Sequence, residues 1–469
     1  MRIRLGLRCS VVIVVTKLYF ERALLADGWR GDVLITLAGS AIVAVEADAS
    51  APPDAVRIGG IALPGIPNVH SHAFQRAIAG LAERRGPEAD NFWTWREAMY
   101  RFLAQMTPDD IEAVSALAYV EMLEAGFTRV GEFHYLHNAP DGSRYADRAE
   151  TAGRIVAAAL QSGIGLTLLP SFYAHGGSGG KPATPAQARF LSDLEGFADL
   201  LEASARHLRG LDGARLGIAP HSLRAVDARE LGELVRLYSS GPIHMHAAEQ
   251  ALEVSECVAW SGARPVQWLL DNMPIDARWC LIHCTHMTPT ETQRLAGSGA
   301  VVGLCPITEA NLGDGIFPAV AFEQSGGLYA IGSDSNVRIA ANEELRSLEY
   351  SQRLRDQRRN RLGANGASSG RALLQAVCAG GVRALGFTPL GVGLAAGQRG
   401  DIVVLDRSHP ALVGRVDDAV LDAWIFAAGH VVSDVFASGR HVVVCGRHTR
   451  ADAVRSRYAE TANRLLEKL

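Results

Sequence analysis

Leu63-Pro64-Gly65-Ile66-Pro67-Asn68-Val69-His70-Ser71-His72 is an apolar run that ends on two histidines one residue apart. On an extended segment, residues two apart project to the same side, so both imidazoles can reach one point at the strand's end. Alone, the pair says little, because most such histidines are incidental surface residues. Its weight comes from the pattern of the remaining chain.

The run at 61–70 is the first of eight short apolar runs, the others being 127–134, 164–170, 215–221, 243–248, 279–283, 300–305 and 328–334. Most end in a polar residue. Between them lie segments of helical period, among them 107–125, with Thr107 as cap and Pro108 at the first position, 186–206 and 250–270. Strands alternating with helices eight times over predict an α/β fold, a TIM (β/α)8 barrel occupying 63–390. A doubly wound open sheet competes with it, but no glycine-rich phosphate turn follows the first strand. In a barrel, the C-terminal strand ends share the face where active sites are built.

The two ends of the chain read differently. Segments 18–20, 32–35 and 41–45, then 401–406 and 435–444, are short and β-rich. They predict a small β-sandwich built from both termini, over 1–62 and 391–450, with a C-terminal helix at 451–469. Residues 1–8 are basic and 9–15 apolar, but no small-residue cleavage site follows and the run is too short to span a bilayer. A first strand or an extension ahead of the domain is expected there.

At 469 residues, the chain exceeds what a single core serves, in keeping with one large and one small domain. A hydrophobic share of 48% and a charged share of 20% describe a soluble globular protein without a membrane partner. The net charge of −4, without a basic stripe, argues against a nucleic-acid partner. The seven cysteines are scattered, without a paired CxxC, and predict reduced thiols and a cytoplasmic place. A homodimer is the expected assembly.

Three other strand ends carry chemistry. His246 closes the fifth run in Ile243-His244-Met245-His246-Ala247-Ala248-Glu249. His244 faces the same way by alternation but lies deeper, and reads as a hydrogen-bonded interior histidine. Glu249 can point back as a proton carrier, or serve as an acid favouring the next helix's dipole; the two do not exclude each other. His283 ends the sixth run and Asp334 the eighth, where a lone aspartate could also be a turn residue. His70, His72, His246 and Asp334 form a set of metal ligands. Three neutral imidazoles and a carboxylate suit Zn²⁺ and leave a position for water. Glu249, His283 and Asp334 are then the catalytic candidates.

These blocks, with the flanking β-rich ends, resemble the amidohydrolase superfamily from about residue 18 to about 448. Dinuclear members carry a bridging lysine after strand 4. Here the segment is Ala219-Pro220-His221-Ser222-Leu223-Arg224, and the resemblance therefore implies one Zn²⁺ per chain. His246-x-x-Glu249 resembles the deaminase branch. More narrowly, Asn68–Arg76, Gly131–His137, Ala219–Val226 and Thr308–Gly315 resemble deiminases of N-formimino-L-glutamate, which release ammonia and N-formyl-L-glutamate in histidine degradation. That implies a small dicarboxylate substrate. Arginine is the best fork for a carboxylate, and Arg224 is the foremost candidate to hold one. The resemblance adds Gln75, Arg96, Tyr135 and His221, although Trp93-Thr94-Trp95-Arg96 reads equally as a packed helix surface. The competing functions are a guanine or related aminopurine deaminase of the same branch and a catalytically silent binding barrel.

Overall fold

The computed structural model describes residues 15–83, 91–388 and 390–467. The strand or extension expected from residues 1–14 lies outside them, as do the last two residues of the expected C-terminal helix.

Four strands open the described chain: β1 (Val15–Leu25), β2 (Gly28–Ala38), β3 (Ala41–Glu46) and β4 (Val56–Pro64). The middle contributes β5 (Ile66–Ser71), β6 (Phe127–His134), β7 (Gly165–Phe172), β8 (Arg215–Leu216), β9 (Ala219–Pro220), β10 (Ile243–Ala247), β11 (Trp279–His283), β12 (Val301–Leu304) and β13 (Leu328–Ile331). Near the other end come β14 (Ile402–Leu405), β15 (Val432–Ala437), β16 (Arg440–Val444) and β17 (Arg447–His448).

The middle strands pair in parallel in two arcs, β5 to β9 and β10 to β13. Two further parallel bridges, Ile218 with Ile243 and Ser71 with Asp334, join the arcs into a ring. This is the barrel architecture of TIM type. All eight residues of β6 and all eight of β7 are buried, as expected for strands packed against helices outside and side chains within. The first and last strands of the chain form one eight-stranded sheet in the order β17-β16-β15-β14-β4-β1-β2-β3. Every pairing in it is antiparallel except β1 with β4. Phe20, Val33, Ile35, Ile42, Ile402 and Val404 belong to a core of its own.

The apolar run 61–70 serves both sheets. Ile61 to Pro64 pair antiparallel with β14, and the barrel strand starts only at Ile66. Gly65 is the joint: its N–H donates to Asp401 O at 2.9 Å, and a Cβ there would sit 2.2 Å from Thr128 Oγ1. The helix expected at 107–125 is Pro108–Glu124, held by a reciprocal cap in which Asp110 N–H donates to Thr107 Oγ1 and Thr107 N–H to Asp110 Oδ2. The segment 186–206 starts its helix later, at Leu194, behind the Asp193 cap. The segment 250–270 is two helices, Ala251–Ser261 and Pro265–Asn272. Gly262 at φ 75° ends the first and Pro265 opens the second. Among the described residues, no helix is long and apolar enough to cross a membrane.

Candidate metal centre

The ends of β5, β10, β11 and β13 bring four histidines and an aspartate together at one buried point. His70 Nε2 lies 3.1 Å from His246 Nε2, and Asp334 Oδ1 lies 3.4 Å from both His70 Nε2 and His72 Nε2. A tetrahedral ion with bonds of ~2.0–2.1 Å separates its ligands by ~3.3 Å, close to these three separations. The donors fall into two overlapping groups that share His70, one with His246 and His283 and one with His72 and Asp334. Outward hydrogen bonds orient two of the rings. His72 Nδ1 lies 2.8 Å from Phe133 O, and His246 Nδ1 3.0 Å from His221 O. Each Nδ1–H donates to its carbonyl, which leaves Nε2 without a hydrogen and able to ligate an ion. Burial holds the His70 imidazole down at about 3 and lowers those of His72 and His246, which favours the neutral form, the one in which an imidazole can ligate. Burial alone would raise the Asp334 carboxyl. The imidazole of His70, 3.4 Å away, leads the neighbouring groups that override it and hold the carboxyl below the usual carboxylate range.

Backbone contacts fix this junction. Asp334 N–H donates to His70 O and His72 N–H to Asp334 O, at 3.0 and 2.9 Å. Gly332 permits that approach: a Cβ there would stand 2.7 Å from His70 O and 2.9 Å from His70 N. Asp334 itself has φ 44°, a conformation that aspartate tolerates better than most residues. Gly332→Ala is therefore expected to push β13 away from His70, with metal affinity and thermal stability falling together. Parent-like values of both would contradict this packing account.

His283 and Glu249 stand beside the cluster. His283 Nε2 is 3.8 Å from Glu249 Oε1 and 4.0 Å from Asp334 Oδ2. Burial disfavours a charged His283, but Glu249, a hydrogen bond to Glu309 and Asp334 outweigh it and push the imidazole up to about 10. Glu249 is buried, which raises its carboxyl, and its Oε2 accepts from Arg224 Nη2 at 3.1 Å. The helix-start duty that Glu249 might have taken belongs to Glu253, which accepts from the N–H groups of Ala248 and Glu249. His244 lies deeper, with Nε2 2.8 Å from Ala384 O.

One cavity opens onto this centre. Its lining includes His72, His246, Glu249 and Asp334 together with Gln75, Arg96, Tyr135, His221 and Arg224. His70 and His283 are not among the lining residues. Gln75 Nε2 donates to Tyr135 Oη at 2.7 Å. Arg96, on the helix Phe92–Leu103, covers the rings of Trp93 and Tyr100 at 4.4 and 5.6 Å while also facing the cavity. Arg96 is thus packed on its own helix's rings and also reaches the cavity wall. The sequence offered no reason to pick out Tyr173, which lines the same cavity, or Glu309 and Asp314, which are buried on and just after the short helix Pro306–Leu312 that follows β12. The last two fall within 308–315, but nothing local marks what their side chains meet. A further donor group, His175 with Asp227 and Glu230, is accounted for by a helix cap. Glu230 Oε2 lies 2.9 Å from His175 Nε2 and accepts from Asp227 N–H, while Asp227 Oδ1 accepts from Glu230 N–H.

Comparison with known proteins agrees with this geometry. A family profile described as "Amidohydrolase family" matches residues 61–442. Another, "Formimidoylglutamate deiminase HutF, N-terminal domain", matches residues 16–58. A formimidoylglutamate deiminase from Pseudomonas aeruginosa is 48% identical over 97% of this chain and 100% of its own. The crystal structure of an amidohydrolase from Brucella melitensis is 51% identical with a TM-score of 0.93, over 96% of this chain and 100% of that one. An adenosine deaminase from Xanthomonas campestris, solved with bound zinc, shares the fold at 22% identity and a TM-score of 0.78, covering 96% and 98% of the two chains. From the converging histidines, the closed barrel and a profile that spans most of its length, the chain belongs to the amidohydrolase family, metal-dependent hydrolases acting on C–N bonds.

Proposed function

We propose that this chain hydrolyses N-formimino-L-glutamate to N-formyl-L-glutamate and ammonia, a step of histidine degradation, with one Zn²⁺ per chain held by His70, His72, His246 and Asp334. The observation that carries this reading is the end-to-end likeness to the P. aeruginosa formimidoylglutamate deiminase. When bound among these donors, zinc supplies Lewis acidity that brings the pKa of water toward neutrality. Asp334 takes a proton from the attacking water, and His283 orients that water through Nε2. Its oxygen bonds to the formimino carbon, which becomes tetrahedral. The formimino nitrogen enters protonated and becomes an amino group on attack. Glu249 adds its third proton, and the C–N bond breaks as the hydroxyl becomes the formyl C=O. The hydroxyl proton returns to Glu249, and ammonia leaves, taking up the proton that Asp334 releases. Arg224 takes a substrate carboxylate, with Arg96, Gln75, Tyr135 and His221 around the rest.

Product analysis tests the reaction. Incubation with N-formimino-L-glutamate is expected to yield ammonia and N-formylglutamate by mass. Formamide and glutamate would mean that the other C–N bond breaks. The metal is tested by elemental analysis, which should find one zinc per chain. Chelation should abolish turnover and one equivalent should restore it, whereas two bridged ions would overturn the ligand set.

An aminopurine deaminase is the second reading. Phe92, Trp95, Tyr100, Tyr135, Tyr173 and Phe190 line the cavity and favour a stacked ring. Against it, Arg224 lies over Phe92 and Trp93 at 5.6 and 5.7 Å, so cations already cover part of that aromatic surface. Guanine as substrate in the same assay separates the two.

The proposal also includes a β-sandwich domain from residues 15–64 and 391–450 flanking a barrel that starts at Ile66, a homodimer and a cytoplasmic location. The six described cysteines are all unpaired, in keeping with a reducing compartment. Light scattering on the purified protein tests the dimer.

A further inference from the structure

The imidazole of His283 has two nitrogens, and the proposed deimination uses only Nε2. Its Nδ1 lies 3.3 Å from Glu309 Oε1. That oxygen also accepts from Cys305 N–H at 2.9 Å, which pins it in place. An oxygen already accepting there meets Nδ1 as an acceptor, so Nδ1 carries the hydrogen and the ring presents Nε2 to Glu249 and Asp334. Glu309 is 6% exposed and rises from the helix Pro306–Leu312, whose Thr308 Oγ1 bonds Ser335 Oγ at 3.1 Å next to Asp334. The same short helix therefore ties the Nδ1 side of His283 to the strand end that carries Asp334. His283 needs such support, because its backbone has φ 69° and that of Cys284 has φ 50°. These sparsely populated conformations persist only where the surroundings hold them.

We propose that Glu309 is a positioning residue for the reaction: by holding the Nδ1–H of His283 it fixes the tilt of that ring, and it acts on catalysis only through it. The proposal rests on His283 taking part in the proposed deimination. A partner on the far nitrogen of a metal-ligating histidine typically matters by roughly 10–100-fold, and the same scale is expected for this ring beside the centre. Glu309→Ala should lower kcat for N-formimino-L-glutamate by that factor, with KM changed less than about threefold and zinc content intact. Glu309→Gln keeps an acceptor at the same place and should recover most of the loss.

A double-mutant cycle with His283→Asn decides the matter. In the His283→Asn background, Glu309→Ala should cost less than about threefold more, since the ring it positions is gone. If the two losses multiply, Glu309 acts independently of His283 and the proposal fails while the role of His283 stands. If His283→Asn alone leaves kcat unchanged, the catalytic reading of His283 fails, and the role of Glu309 with it. Should Glu309→Ala not fold, the cycle is run with Glu309→Asp, whose carboxylate falls one methylene short of Nδ1. Loss of zinc or of the native melting transition in the isosteric Glu309→Gln would show Glu309 to be purely structural.

Discussion

Glu249→Gln is expected to lower kcat by roughly 10²–10⁴-fold, the usual size of a general acid/base contribution, while zinc content and substrate affinity stay near those of the parent. The amide keeps the size of the carboxylate and one acceptor oxygen. It can still take the hydrogen bond from Arg224 Nη2, and the backbone at residue 249 stays tied to Glu253. What it loses is the ability to gain and release a proton. Burial raises the Glu249 carboxyl, against the pull of His283 and Arg224, which brings its proton affinity closer to what a shuttle at neutral pH requires. Elemental analysis together with steady-state kinetics checks this. A variant that turns over at the parental rate would remove Glu249 from the chemistry. One that unfolds or sheds its metal would make it a structural residue.

The barrel was legible because its strands are short apolar runs that end in polar residues, and that rhythm survives in the bare sequence. The division between Pro64 and Ile66 was not, because hydrophobicity continues through it and only the pairing partners differ. The break in 250–270 did leave marks, Gly262 and Pro265, which the helical period on either side concealed. At the site, each of His70, His72, His246, His283 and Asp334 stands within three residues of a strand end, and strand ends meet at one face. Periodicity alone therefore brings them near one another. Glu309 has no such mark. Its partner is 26 positions away in the chain, and their meeting depends on how a seven-residue helix sits over the strand ends. The contact between Arg224 and Glu249 is hidden for the same reason: each residue lies in a different loop, and nothing in either segment refers to the other.

Arg224→Ala is expected to lower kcat/KM for N-formimino-L-glutamate by roughly 30-fold to several thousand-fold, since removing one partner of a buried charged contact costs about 2–5 kcal/mol. Arg224 is 7% exposed and its Nε has no partner among the described residues, so the guanidinium keeps donors for a ligand beyond the bond it gives Glu249. Neighbouring Glu253 and Glu249 outweigh burial and keep the group charged. Arg224→Lys should recover only part of the loss, because an ammonium cannot reproduce two parallel N–H bonds to a carboxylate. The contact with Glu249 allows a second route to the same defect, in which the truncation leaves that carboxyl buried without its cation. Combining Arg224→Ala with Glu249→Gln separates the routes. If Arg224 mainly holds substrate, the losses multiply and KM carries much of the second one. If it mainly serves Glu249, the double variant is no worse than Glu249→Gln alone. A neutral purine has no carboxylate to lose, and a purine deaminase would show no such KM effect. Undiminished hydrolysis of formiminoglutamate by Arg224→Ala would mean that the carboxylates are held elsewhere, with Arg96 the next residue to test.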